Sequence, residues 1–196
     1  WAVVKFRFPG RSLLLAVLDL PLSLSPVLTG ISVAALWGSS GLLGPIVESW
    51  GLRIIFSWPG VVLTTLFIVT PFVARETIPV MLERGNEEEE AALTLGARGW
   101  YLWRRVTLPA LRTALLYGLV MASARAAGEF GAASVVSGLV RGSHTTLPIH
   151  IEILYNDFAS TQAFAVSTLF LAFSLITLVA GRLVRRRQEQ VKGDRS

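Results

Sequence analysis

Residues 87–109 read EEEEAALTLGARGWYLWRRVTLP, and how they are interpreted decides the fold. Four glutamates open the stretch, three arginines follow, and it lies between two runs apolar enough to cross a bilayer. Such a loop carries its own local structure. Asn86 is placed to cap a helix whose first turn holds Glu87, Glu88 and Glu89, with Glu89 at the capping-box position. Acids there also meet the positive end of the helix dipole. Ala91, Ala92, Leu93 and Leu95 supply an apolar side, and Gly96 ends or bends the helix. Residues 100–106 form a second short helical piece, and Leu108-Pro109 turns the chain into the next apolar run.

Composition places that loop in a membrane protein. Of 196 residues, 53% are hydrophobic and 16% charged, against roughly 25% charged in an ordinary soluble domain. A spanning helix needs about 20 mostly apolar residues. The stretches 13–37, 54–74, 110–136 and 158–181 qualify, the first two interrupted by prolines that a helix bundle in a membrane tolerates. The expected fold class is therefore all-α: a polytopic membrane protein with a loop over 75–109 and a basic tail over 182–196. Residues 1–10 read as the tail of an earlier segment, so the expectation is a piece of a longer protein.

Charge placement sets the orientation. Lys and Arg gather in 1–11, 75–112 and 182–196, whereas the opposite side keeps Arg53 and Arg141, and Arg125 falls inside a span. The positive-inside rule makes the first side cytoplasmic. Both visible ends and the loop 87–109 are then cytoplasmic, with Arg185, Arg186 and Arg187 an anchor near anionic lipid. Because the net charge of +5 is distributed in this way, it points to membrane topology and not to nucleic acid. The absence of cysteine excludes disulfides, thiol catalysis and cysteine metal sites. Neither histidine falls in a span and no phosphate-binding P-loop occurs, which argues against an intramembrane enzyme or an ATPase. An ion channel or a membrane scaffold subunit is compatible with composition alone.

Spacing narrows the choice. Glu90-Ala91-Ala92, three residues, Gly96, nine residues, Val106, one residue and Leu108-Pro109 follow in order. This pattern resembles the EAA loop of ABC-transporter inner-membrane permeases, Glu-Ala-Ala-x3-Gly-x9-Ile-x-Leu-Pro, with valine in place of isoleucine. The resemblance implies a MetI-like transmembrane domain whose loop forms coupling helices that dock into a cleft on an ATP-hydrolysing subunit. The residue types suit that role. Ala91 and Ala92 permit close backbone approach, Gly96 allows a change of direction, and a glutamate at the helix start can pair with basic groups on the partner. A surface-lying amphipathic helix would explain the charges but not the spacing.

Further stretches extend the resemblance from about residue 6 to residue 173. FPGRSLLLAVLDLPLSLSPVLTG (8–30), VARETIPVM (73–81), ARAAGEFGAASVVSGLVRG (124–142) and TLPIHIEILYNDF (146–158) are similar to the sulfate/thiosulfate permeases, specifically their W-type subunit. Molybdate permeases share FPGR, an SPVLTG-like element and GEFGA, while VVSG-x2-RG and LPIHIEILYN favour the sulfate group. The resemblance implies a bacterial inner-membrane importer of sulfate or thiosulfate, with molybdate or tungstate as the alternative. It implies a second, T-type permease subunit as heterodimer partner, two ATP-binding subunits that hold ATP and Mg, and a periplasmic sulfate/thiosulfate-binding protein. It also implies about two further spans upstream, contact with lipid but not nucleic acid, and no cofactor in this chain.

Polar residues at membrane depth are the remaining candidates. Arg125 and Glu129 lie four apart on the third span, as an intrahelical ion pair, as part of an oxyanion path with Ser123 and Ser134, or as both. Ser23, Ser25 and Thr29 flank Pro26, where their hydroxyls either meet the anion or hold neighbouring helices. His144 and His150 share the far-side loop with Arg141, Glu152 and Asp157. They lack a third ligand of clear spacing, so no metal site is expected; contact with a binding protein or a solvated loop are the readings.

Overall fold

The computed structural model describes residues 1–139, 142 and 144–193, with side chains through residue 183. In chain order the elements are α1 (Ala2–Lys5), α2 (Arg11–Ser23), α3 (Pro26–Trp37), α4 (Gly44–Ser49) and α5 (Trp58–Arg84). Then come α6 (Glu87–Thr94), α7 (Gly99–Leu102), a π-helical turn (Trp103–Thr107) and α8 (Leu108–Ala127). The chain continues with α9 (Gly131–Ser137), α10 (Leu147–Asn156) and α11 (Ser160–Gly193). Among the described residues, three helices are long and apolar enough to cross a membrane: Trp58–Arg84, Gly99–Ala127 and Ser160–Leu183.

The structure differs from the four expected stretches at definite places. The run 13–37 is two helices, α2 and α3, because Pro26 cannot donate a backbone N–H and forces Ser25 to be extended (φ −66°, ψ 146°). Ser25 then caps α3, its Oγ accepting from Leu28 N at 3.3 Å. The run 54–74 begins later, at Trp58, with Pro59 in the first turn of α5. That helix passes ten residues beyond 74, through Pro79, since charge alone does not end a helix and the backbone leaves the helical region at Gly85, where φ is +64°. Much of the expected loop 75–109 is thus helix. Leu108-Pro109 makes no turn either. Residues 99–127 form one continuous helix, widened at 103–107, where Leu108 N bonds to Trp103 O. A π turn there accommodates the proline ring and its missing donor. The run 110–136 breaks after Ala127 and resumes as α9. The last helix continues from 181 to Gly193; the tail side chains beyond 183, and Arg141, lie outside the described residues.

Within lipid, helices associate by close packing more than by a hydrophobic driving force, so small residues mark the contacts. α5 and α8 run antiparallel, with Gly118 so near α5 that an added Cβ would lie 3.1 Å from Val73 Cα. α3 meets α9 at Gly30, where a Cβ would sit 2.9 Å from Ala132 Cα. Val61, Ala133 and Ile149 join α5, α9 and α10 in a buried cluster, with Ile153 against it. α11 packs on α8 through Gly181, beside Val120, Met121 and Tyr117. Elsewhere on the described part of α11, large apolar side chains such as Phe164, Leu169 and Ile176 face outward.

Candidate functional site: the loop helix and the break after α8

α6 forms where the acidic cluster and alanines placed it, but its termini work differently. At its C-terminus Gly96 takes φ +87°, a left-handed conformation that glycine adopts without steric cost. Gly96 N bonds to Leu93 O at 3.0 Å and Ala97 N to Ala92 O at 3.0 Å. These two bonds make a Schellman motif, which satisfies the last carbonyls of the helix. The glycine of the spaced pattern is therefore a helix terminator that redirects the chain into α7. Glu90, Ala91 and Gly96 are exposed, Ala92 and Val106 are partly buried, and Leu108 and Pro109 lie within the continuous helix.

At the N-terminus the expected capping box does not form. Asn86 occupies the N-cap position without a side-chain cap bond. Its Oδ1 instead accepts from Lys5 Nζ at 2.7 Å, and Lys5 also donates to Gly85 O at 2.9 Å. Glu89 does not reach back to Asn86. Its Oε2 lies 2.9 Å from Lys5 Nζ, and its Oε1 accepts from Thr107 Oγ1 at 2.7 Å. Burial raises the Glu89 carboxyl pKa, but the hydrogen bond from Thr107 and the charge of Lys5 outweigh it, and the net shift is downward. A lowered folded-state value means that the group stabilises this junction above the ordinary carboxylate range; the contribution is lost as pH falls through the lowered value. Lys5 and Thr107 were missed as site residues in the sequence because they lie 84 and 18 residues from Glu89, with no periodic signal to connect them.

The second site is the break after α8. Arg125 Nη1 stands 2.6 Å from Glu129 Oε2, with Arg125 31% exposed and Glu129 2% exposed. At that separation the pair is a close charge-assisted contact. The pair is not intrahelical: α8 ends at Ala127, and Glu129 lies in the connection. Glu129 Oε1 accepts from Ala132 N at 3.0 Å, supplying a partner at the start of α9. One buried carboxylate thus holds the end of α8 and the start of α9 together.

The other candidates separate. Ser123 is exposed and two residues from Arg125 on α8, so the two do not share a face. Ser134 Oγ bonds to Gly131 O at 2.9 Å, and Thr29 Oγ1 to Ser25 O at 3.2 Å, so these hydroxyls serve their own helices. His144 packs edge-on against Trp58, ring centroids 6.0 Å apart, while His150 is exposed on α10.

Known proteins are similar to this chain in sequence and in fold. The family described as "binding-protein-dependent transport system inner membrane component" matches residues 1–190. The sulfate transport system permease protein CysW of Escherichia coli (strain K12) is 49% identical over 189 residues, covering 96% of this chain and 65% of the relative. The chain therefore spans just under two thirds of that relative's length. The sulfate transport system permease protein CysT of the same organism is 34% identical over 187 residues, covering 95% of this chain and 68% of the relative. A crystal structure of a bacterial ABC transporter involved in import of the acidic polysaccharide alginate shares the fold. Its TM-score is 0.65 at 17% identity, covering 94% of this chain and 69% of that one.

Proposed function

The chain belongs to the family of binding-protein-dependent transport system inner membrane components, and from that premise we propose that it is part of the permease of an ATP-driven importer of sulfate or thiosulfate. The observation that carries the mechanism is the exposed loop helix. α6 has no buried residue, yet Leu93, Leu95, Trp100 and Tyr101 are 50%, 89%, 68% and 62% exposed around its glycine terminus. Trp100 stacks on Trp103 at 4.8 Å, which stiffens this patch. Large apolar side chains exposed this close together in sequence suit a protein contact. Its natural partner is an ATP-binding subunit, with ATP and Mg2+ held there and not in this chain. Closure of paired ATPases on ATP moves the docked helix, and the continuous helix of residues 99–127 carries that motion into the membrane.

The choice of anion rests on the similarity to CysW, and the heterodimer with a second permease subunit on the additional similarity to CysT. A periplasmic binding protein delivers the anion at the far end. Reconstituting the full-length subunit with these partners tests the reading. ATP-dependent uptake of labelled sulfate or thiosulfate is expected; uptake of molybdate alone would reassign the substrate. Leu95→Asp puts a charge into the exposed patch, and release of the ATPase in co-purification is the expected result.

Orientation has its own test, since the chain has no cysteine. Cysteine at Ser49, exposed at the end of α4, is expected to react with an impermeant thiol reagent in intact cells. Cysteine at Glu87, exposed on α6, is expected to react only after permeabilisation. The reverse pattern would place the loop helix outside the cell and end the docking proposal.

A further inference from the structure

α6 has no fully buried residue, and Glu89 and Ala92 alone are partly buried, so apolar packing anchors it weakly. Force reaching it from the rest of the bundle then passes largely through its backbone connections and polar contacts. An open Arg84–Glu88 ion pair at 3.4 Å joins α5 to α6, and the less exposed contacts converge on Lys5. Its ammonium meets Gly85 O at the end of α5, Asn86 at the N-cap of α6 and Glu89 within α6. Lys5 itself is held near α2, because Arg11 Nε donates to Val3 O at 2.7 Å and so ties α1 to the start of α2. On the other side Glu89 accepts from Thr107, which is 5% exposed at the foot of α8. The Lys5 and Glu89 side chains are 10% and 15% exposed, unlike the more open Arg75–Asp19 pair. A cavity of about 30 Å3 lies beside the junction, lined by Lys5, Met81, Glu89, Val106, Thr107 and Leu111, so close packing does not replace these bonds.

We propose that Lys5, Glu89 and Thr107 are positioning residues that form a strut, locking the loop helix to α2, α5 and α8 so that its displacement moves those helices as one body. This rests on the docking of α6 to an ATPase. In the strut, Glu89 is the shared acceptor: one oxygen takes the ammonium from the α2 side, and the other takes the hydroxyl from the α8 side. Losing either bond leaves α6 docked but loosely joined to the helices it must move. ATP is then hydrolysed without a matching movement of the path.

The test uses the reconstituted complex of the full-length subunit, its partner permease, the ATPases and the binding protein. The variants Glu89→Gln, Lys5→Met and Thr107→Val are compared with Lys5→Arg, which keeps the charge. Sulfate uptake is expected to fall about tenfold in the first three, the effect of one lost charge-assisted hydrogen bond at a junction. ATP hydrolysis should persist, so that ATP used per anion carried rises by about the same factor, and Lys5→Arg should stay near the parent value. A Lys5→Cys/Glu89→Cys double variant in a cysteine-free complex provides a second measurement: bridging by a short bis-maleimide should restore the ratio. Unchanged ratios in the three variants, proportional loss of uptake and hydrolysis, or a bridged double variant that stays uncoupled would each overturn the strut. If Leu95→Asp leaves ATPase association intact, the docking premise fails instead, independently of the strut.

Discussion

Gly96→Pro, in the reconstituted complex, is expected to abolish nearly all uptake while the subunit still inserts in the membrane. Position 96 has φ +87°, and proline is locked near −65°. Proline also removes the N–H that meets Leu93 O. The loop can accept it only by losing the Schellman end of α6 and re-aiming α7 with Trp100 and Tyr101. A cost of roughly 3 kcal/mol for a misplaced proline leaves about 1% of molecules with the docking geometry. The series should be graded: Gly96→Asn is tolerated best, because Asn visits the left-handed region, and Gly96→Ala lies between. Substrate-stimulated ATPase activity and uptake are measured together. Equal activity across the series would show that the direction of the chain after α6 does not matter for coupling.

Arg125→Ala is expected to lower the amount of assembled protein severely. Glu129 is 2% exposed, and it would lose its neutralising charge in a low-dielectric setting. Removing one partner of such a pair typically costs about 3–5 kcal/mol. The structure also distinguishes two ways of removing the second charge. Glu129→Gln keeps an oxygen for Ala132 N, whereas Glu129→Ala leaves that amide at the start of α9 without it. Arg125→Ala with Glu129→Gln should therefore restore abundance, and Arg125→Ala with Glu129→Ala should restore less. Uptake separates the roles of the arginine. Its guanidinium is 31% exposed, and it carries more N–H donors than one carboxylate oxygen uses, which leaves some for a passing dianion. Normal abundance and ATPase activity with poor uptake in the Gln double variant would support that role. Wild-type uptake at wild-type abundance would make the pair a packing device alone.

Much of the architecture was legible in the chain. Because a bilayer demands about 20 apolar residues, apolar length pointed to spans over 54–74, 110–136 and 158–181. The structure has long apolar helices there with shifted ends, Trp58–Arg84, Gly99–Ala127 and Ser160–Leu183, whereas 13–37 is two shorter helices. The helix 87–94 and its end at Gly96 were also local matters, decided by acids at one terminus and by a residue free to take positive φ at the other. Helix limits set by weak local signals were less legible. Charge at Arg75 suggested an end to α5, but the helix runs on through Pro79 and ends where Gly85 takes φ +64°. Pro109 suggested a turn, yet a π turn absorbed it and left the axis unbroken.

The use of polar side chains was settled in space. Asn86 and Glu89 had the spacing of a capping box, and in an isolated helix each would serve the other's backbone. Lys5 takes both oxygens because an ammonium makes a stronger, charge-assisted bond than a backbone amide does. Likewise, Arg125 and Glu129 had the spacing of a helical pair, but the helix ends between them and the glutamate also serves α9. The sequence by itself determined which residues are apolar, which are charged and where the backbone can reverse, since each depends on the residue and its near neighbours. Only the tertiary structure decided which donor meets which acceptor, since those partners come from chain segments as far apart as Lys5 and Glu89 and compete by geometry and charge.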